Sequence, residues 1–332
     1  MTKLDQYRAA RETAAWIDRS SRVRPRVTGS DRAKFLNNLT TNDVKRLAVG
    51  RGCEAFVTSG QGKTLAFVVV HALPDALLLR ADAGGMDLAL PHLRKYGIFD
   101  AVQIEDASAE TGEILLMGPA AAAWLERVGA TLPAADDLAT SATRAAGVDV
   151  LLIRESPAGV PGFTLIAAAG DVPKLVEAPR GAGFPALDPE TFEALRIEAG
   201  TPAFGRDVTE KNLPQEIDRD ARAISFVKGC YLGQETVARL DALGHVNKIL
   251  RRLIGRPGDP VPPAGAELTA DGKAVGTITS SAFSPGRGVG VALGIVRVAR
   301  ASSGLTMTWK RTDDGSEFVL IVDDPPLLAT QI

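Results

Sequence analysis

Two short stretches hold residues whose types and spacing could do chemistry. One is Lys228-Gly229-Cys230-Tyr231-Leu232-Gly233-Gln234-Glu235. Gly233 is suited to open a helix, with Gln234 and Glu235 in its first turn. Cys230 would then lie just ahead of the positive end of that helix, two residues after Lys228. Both features favour a thiolate. The same residues are compatible with an inert cysteine packed under a loop. Glycines on both sides of the thiol suggest close backbone approach or positive φ.

The other stretch is DPETFEALRIEAG, residues 188–200. Asp188 with Pro189 makes a helix start, and Gly200 an end. At 100° per residue, Glu198 falls on the apolar arc of Phe192, Ala194, Leu195 and Ala199, while Glu193 and Arg196 point elsewhere. A carboxylate in the last turn of an apolar face is costly without partners. Glu198 is therefore either part of a structural ion pair or a group held for a ligand with several N–H donors, such as an aminopyrimidine ring.

Lys248, Arg251, Arg252 and Arg256 form a basic cluster, either a solvated strand face or a cradle for an anionic tail such as polyglutamate. Other chemistries are absent. Cys53 and Cys230 are the only cysteines, and His71, His92 and His245 stand alone, so no metal site is expected. There is no Walker A or G-x-S-x-G pattern, and GRGVGVALG reads as barrel strand and turn. The formal net charge of −2 argues against direct nucleic-acid binding. No apolar run is long enough to span a membrane, and the N-terminus lacks an apolar leader core, so a cytoplasmic address is expected.

The elements that must position these residues follow from periodicity. Residues 5–17 read as an amphipathic helix, and CEAFVTSGQGKTLAFVVVHA as a hairpin around Gly60-Gln61-Gly62. Strand pairs alternate with single helices up to about residue 245, which indicates α+β architecture with largely antiparallel sheets. From residue 246, short strands between Pro/Gly turns indicate a small β-barrel. The expected domains are 1–245, with subdomains 1–110 plus part of 185–245 and 111–184, and a barrel at 246–332.

LNNLTTNDVKRLAVGRG, LRIEAGTPAFGRDVTEKNLPQEI, KGCYLGQETVAR and GTITSSAFSPGRGVGVALGIV occur in an order that resembles the YgfZ family. These are folate-binding relatives of the glycine cleavage T-protein (aminomethyltransferase) that act in iron–sulfur cluster assembly or repair. The resemblance spans nearly the whole chain. It implies a three-part ring, two α+β segments and a C-terminal β-barrel, around a folate-sized channel. It implies tetrahydrofolate or a derivative as ligand, oriented by Glu198, with Asn42, Asp43, Gly229 and Gln234 as further binding candidates. Cys230 would be the reactive thiol, tuned by Lys228, and iron–sulfur assembly proteins or cluster enzymes the partners. T-proteins carry an aspartate pair in a G-G-x-x-D-D pattern after the first hairpin. Here Gly62-Lys63-Thr64-Leu65-Ala66-Phe67 stands there, and Ala66 and Phe67 replace both acids. An accessory protein without aminomethyl transfer is the expectation. A tetrahydrofolate-dependent one-carbon transferase is the alternative, and a role in tRNA modification a weaker one.

Overall fold

A computed structural model describes residues 1–243 and 246–323, excepting the side chains of 241–243. His245 and the stretch 324–332, which the sequence assigned to a surface or packing role and to the barrel, lie outside the described residues.

The chain begins with helix α1 (Lys3–Glu12), closed at its N-terminus by reciprocal Thr2 and Asp5 hydrogen bonds. The helix expected over 5–17 is shorter than that. Ala15–Asp18 is strand β1, and Ala15, Trp16 and Ile17 are buried in a run because alternate residues enter two different cores, Trp16 one and Ala15 and Ile17 the other. Next come β2 (Pro25–Thr28), α2 (Arg32–Leu39), the hairpin β3 (Gly52–Thr58) and β4 (Thr64–Ala72), β5 (Leu77–Arg80), α3 (Ala89–Tyr96) and β6 (Gln103–Asp106). The first sheet has the order β3-β4-β5-β2-β6 and is antiparallel throughout.

The second sheet is built from β7 (Thr111–Met117), β8 (Thr140–Ala145), β9 (Val148–Arg154) and β10 (Gly162–Ala168). Helices α4 (Ala121–Arg127) and α5 (Val172–Gly181) pack on it. Its order is β1-β7-β10-β9-β8, so β1 leaves the N-terminal segment and pairs at the far edge of this sheet. The two sheets meet through Leu78, Ile153 and Ile166. Beside them, Arg80 at the end of β5 lies between two carboxylates of the second sheet. It donates to Glu113 at 2.7 and 3.2 Å and to Glu155 at 2.9 Å. All three groups are buried, and the complete pairing is what makes burial of their charge tolerable.

Helix α6 (Pro189–Glu198) starts as its sequence indicates, with Asp188 accepting from the Thr191 N–H at 2.7 Å and Pro189 in the first turn. Short helix α7 (Asp220–Ala223) and α8 (Gln234–Leu243) follow. The C-terminal part is a closed antiparallel barrel in the order β11-β14-β13-β12-β15-β16. Its strands are β11 (Lys248–Ile254), β12 (Glu267–Ala270), β13 (Lys273–Ser284), β14 (Val289–Arg297), β15 (Thr306–Lys310) and β16 (Glu317–Asp323). GRGVGVALG supplies β14 and the turn before it. Ile197 of α6 and Phe56 of β3 share one core with Leu250, Val291 and Leu293 of the barrel, which fastens the barrel to the other two parts.

Candidate functional site

Where the three parts meet there is a cavity of about 970 Å³. Its walls come from the end of β1 and the following turn (Asp18, Arg19, Arg22), from Asp82, from one side of α6 (Phe192, Glu193, Arg196), from the 203–206 loop and from β13 (Ser281–Phe283). An inner extension of about 70 Å³ continues past Arg19, Phe192 and Arg196 to Phe67, Glu54, Arg219 and Arg222.

The cavity is rich in guanidinium groups. Arg196 holds Glu193 in a two-point pair at 2.6 and 2.9 Å and donates to Asp207 at 2.8 Å. Asp207 also accepts from Thr279 of β13 at 2.5 Å, so this cluster joins α6 to the barrel. Arg19 and Arg22 share a single Asp82 oxygen, each at 3.4 Å. Burial, and next the neighbouring Arg22, push Arg19 down to about 10. Its guanidinium lies 5.0 Å from the Phe192 ring centre, within cation–π range. Arg22 meets Asp82 through its Nε, at ion-pair distance but out of line for a hydrogen bond, so this buried N–H lacks an acceptor.

In the inner extension every lining carboxylate is ion-paired. Glu54 accepts from Arg219 and Arg222 at 2.9 Å each, Arg222 also holds Asp137, Arg80 holds Glu155, and Asp82 is shared as above. Ala66 and Phe67 face opposite ways. Ala66 is 0% exposed in the core of the first sheet, and Phe67 lines the extension with its ring 5.0 Å from that of Phe56.

Glu198 is not among the residues lining this cavity. Its side chain turns to α1, where Oε2 accepts from the Tyr7 hydroxyl at 2.8 Å and from Arg11 at 2.5 Å. Glu193 and Arg196, which helical geometry set aside from the apolar arc, line the wall together with Phe192 and the first turn of α6. Leu195 of the apolar arc packs with α1 and the second sheet, whereas Phe192 at the arc's edge reaches the cavity beside the polar Glu193 and Arg196. Of the basic cluster, the three residues on β11 are engaged in ion pairs, and Arg256 beyond the strand lines none of these cavities. Arg252 is buried and bonds the Glu198 carbonyl and Asp323, Arg251 pairs with Asp218 at 2.5 Å, and Lys248 stands 3.8 Å from Glu216. Sequence reasoning passed over Arg19 and Arg22. The signal available was a run of arginines at 19, 22, 24 and 26 directly after a strand.

The cysteine motif lies elsewhere, beside a second cavity of about 380 Å³ lined by Lys34, Asn37, Asp43, Lys45, Lys228 and Cys230 among others. Lys228 is a clasp. Its ammonium donates to the carbonyls of Asn37, Thr40 and Asn42 at 2.5, 2.7 and 2.8 Å, at the C-terminal end of α2. Asn42 is spent on structure, donating to the Glu54 and Arg222 carbonyls at 2.8 Å each. Asp43 lines the second cavity, not the central one, and caps the Arg46 N–H at 3.2 Å. Gln234 opens α8 and lines neither cavity, and Gly229 has open space around it. Cys230 is exposed on the rim. Cys53 is half-buried against the first core, and burial pushes its thiol up to about 12. Among the described residues no group of His, Cys, Asp and Glu could hold a metal ion, and no helix is long and apolar enough to cross a membrane.

Two antiparallel sheets and a six-stranded barrel around an arginine-walled cavity define a T-protein-type fold. The GCVT N-terminal domain matches residues 3–227, and the glycine cleavage T-protein C-terminal barrel domain matches residues 250–325. The chain belongs to the glycine cleavage T-protein family. It is similar to an aminomethyltransferase of Streptomyces avermitilis, 31% identical over 90% of this chain and 82% of the relative. It is also similar to one of Halalkalibacterium halodurans, 29% identical over 87% of this chain and 80% of the relative. The crystal structure of aminomethyltransferase T from Bartonella henselae has the same fold. Its TM-score is 0.82 at 22% identity, covering 97% of this chain and 89% of that one.

Proposed function

We propose that the protein binds tetrahydrofolate or a derivative in the central cavity and serves as an accessory factor in iron–sulfur cluster assembly or repair, without aminomethyl transfer. The observation that carries this reading is Phe67. Position 67 is the one of the two replaced acids that faces the cavity, and it presents a ring that can neither hold nor move a proton. The remaining carboxylates of the inner extension are engaged by guanidinium groups, so none stands free as a general base.

The cavity suits a planar, polar ligand. Its volume of about 970 Å³ is ample for a drug-sized molecule. Phe192, Phe204 and Phe283 offer ring faces, and the unsatisfied Arg22 Nε is a donor for a ligand oxygen or nitrogen. Arg196 and Glu193, rather than Glu198, take the ligand-facing role on α6. Cys230 is the accessible thiol for transient contact with a partner's cluster or cysteine, and Lys228 serves it by holding its loop.

Calorimetric titration of the wild type with tetrahydrofolate tests the binding half. Saturable binding that Phe67→Trp weakens supports it, and no heat at any accessible concentration sinks it. The alternative, a one-carbon transferase, draws on the relatives named aminomethyltransferase. Turnover of an aminomethyl-lipoyl substrate with tetrahydrofolate by the purified protein would establish it.

A further inference from the structure

The surface along α2 combines features that no role in the central cavity uses. At its C-terminal end the Lys228 clasp holds Phe226 and Val227 beside the helix, and Val227 is 85% exposed. At its N-terminal end Asp31 accepts from the Ala101 N–H at 2.9 Å, which brings Ile98 and Phe99 alongside. Phe99 is 97% exposed. Two apolar pairs thus stand at opposite ends of one short helix, where an isolated soluble chain gains nothing by showing them.

Between these ends lies the cavity of about 380 Å³. Its wall carries four cations, Lys34, Lys45, Arg46 and Lys228, and one carboxylate, Asp43. Asp43 is already engaged by Arg46 at 3.6 Å, and the acid nearest Lys34 is Asp100 at 4.0 Å. Lys45 has no carboxylate within 4.0 Å among the described residues. This excess of positive charge stands on a chain whose formal net charge is −2.

We propose that this strip is a docking surface for an acidic polypeptide segment of a protein partner, its carboxylates over the cavity and an apolar side chain at each end. Charge complementarity selects the acidic partner and would steer its approach. Two observations favour a polypeptide over a nucleic acid. The end groups include aliphatic Val227 and Ile98, which offer no stacking face, and the net negative charge of the whole chain disfavours a polyphosphate. Cys230 sits on the rim, so a partner seated there would have its bound segment next to the thiol. The proposal goes beyond the preceding reading and needs neither folate nor a cluster.

The test is fluorescence anisotropy with a labelled short peptide of glutamate and aspartate bearing a leucine at each end. The full-length protein should bind it, more weakly as salt rises. The Lys45→Glu/Arg46→Glu double variant should lose about tenfold or more in affinity, and Val227→Ser with Phe99→Ser a smaller part. Attaching a bulky maleimide at Cys230 should block binding. These residues are exposed, so the variants should fold, and unchanged circular dichroism and thermal melting will show it. Equal affinity for wild type and the charge-reversed variant would overturn the proposal. So would displacement of the peptide by an RNA oligonucleotide of equal charge at lower concentration, or by inorganic phosphate alone.

Discussion

Gly62 and Gly233 stand backbone against backbone. A Cβ on Gly233 would lie 2.3 Å from the Ser59 carbonyl oxygen and 2.9 Å from the Gly62 Cα. A Cβ on Gly62 would lie 2.7 Å from Cβ of Thr236. Both have positive φ, 75° and 84°. The motif around Cys230 is thereby wedged onto the turn of the first hairpin, and Thr58 on that hairpin donates to the Leu232 carbonyl at 2.6 Å.

The two glycines of the motif should therefore respond differently. Gly233→Ala combines a left-handed backbone with a clash against backbone atoms, and should cost about 2 kcal/mol or more. At Gly229 an added methyl group would meet no atom within 4 Å, and φ is not positive, so Gly229→Ala should stay within about 0.5 kcal/mol of wild type. Urea unfolding of both variants measures this.

Lys228→Met should destabilise by about 2–3 kcal/mol, because three carbonyls lose a charged donor. Cys230→Ser should leave stability unchanged, since the thiol is exposed. Thermal melts of the pair separate a lysine that holds the fold from an exposed thiol that does not. Equal melting points for Lys228→Met and wild type would remove the clasp.

Glu198→Gln keeps the shape of the carboxylate but removes its charge from Tyr7 and Arg11, and should cost about 1–3 kcal/mol. Tyr7 is pushed up to about 12, by burial first and by Glu198 second. Its phenolate titration should therefore move only part of the way back toward 10 in the variant. Affinity for tetrahydrofolate should be the same in both proteins, because Glu198 does not line the cavity. A large loss would return the ligand role to this residue.

Acid should unfold the protein in two overlapping ranges. His71 is held neutral by burial and next by Arg80, with its pKa pushed down to about 3 from 6.5. Burial opposes the charge of Glu113, but Arg80 and then Arg22 outweigh it and hold the carboxyl at about 2 against 4.5. Both folded-state values are depressed. The unfolded chain therefore binds more protons, and stability falls with falling pH. His71 contributes as pH falls from 6.5 toward 3, and Glu113 from 4.5 toward 2. Denaturation midpoints across this span should decline from about pH 6.5, and His71→Gln should flatten the upper part of that decline.

Much was legible in the chain because it depends on near neighbours. The shift to Gly/Pro-punctuated strands after residue 246 marks the barrel, since turn residues act locally. Asp188-Pro189 marks the start of α6, and the apolar arc of that helix correctly contains Glu198. The ordered motifs point to relatives of the glycine cleavage T-protein, and the two domains of that family match residues 3–227 and 250–325. The pairing of β1 with the second sheet could not be read, because a four-residue strand carries no signal for a partner a hundred residues away.

Strand periodicity determined by itself that Ala66 and Phe67 face opposite sides. Which side holds the cavity was decided only when the barrel and α6 closed over one face of the first sheet. The same closure decided that Glu198 serves α1, that its neighbours Glu193 and Arg196 line the central cavity, and that the motif around Cys230 belongs to a different cavity. Helical and strand periods state which residues share a face. What covers that face depends on contacts between segments far apart in the chain, and these exist only in the assembled ring.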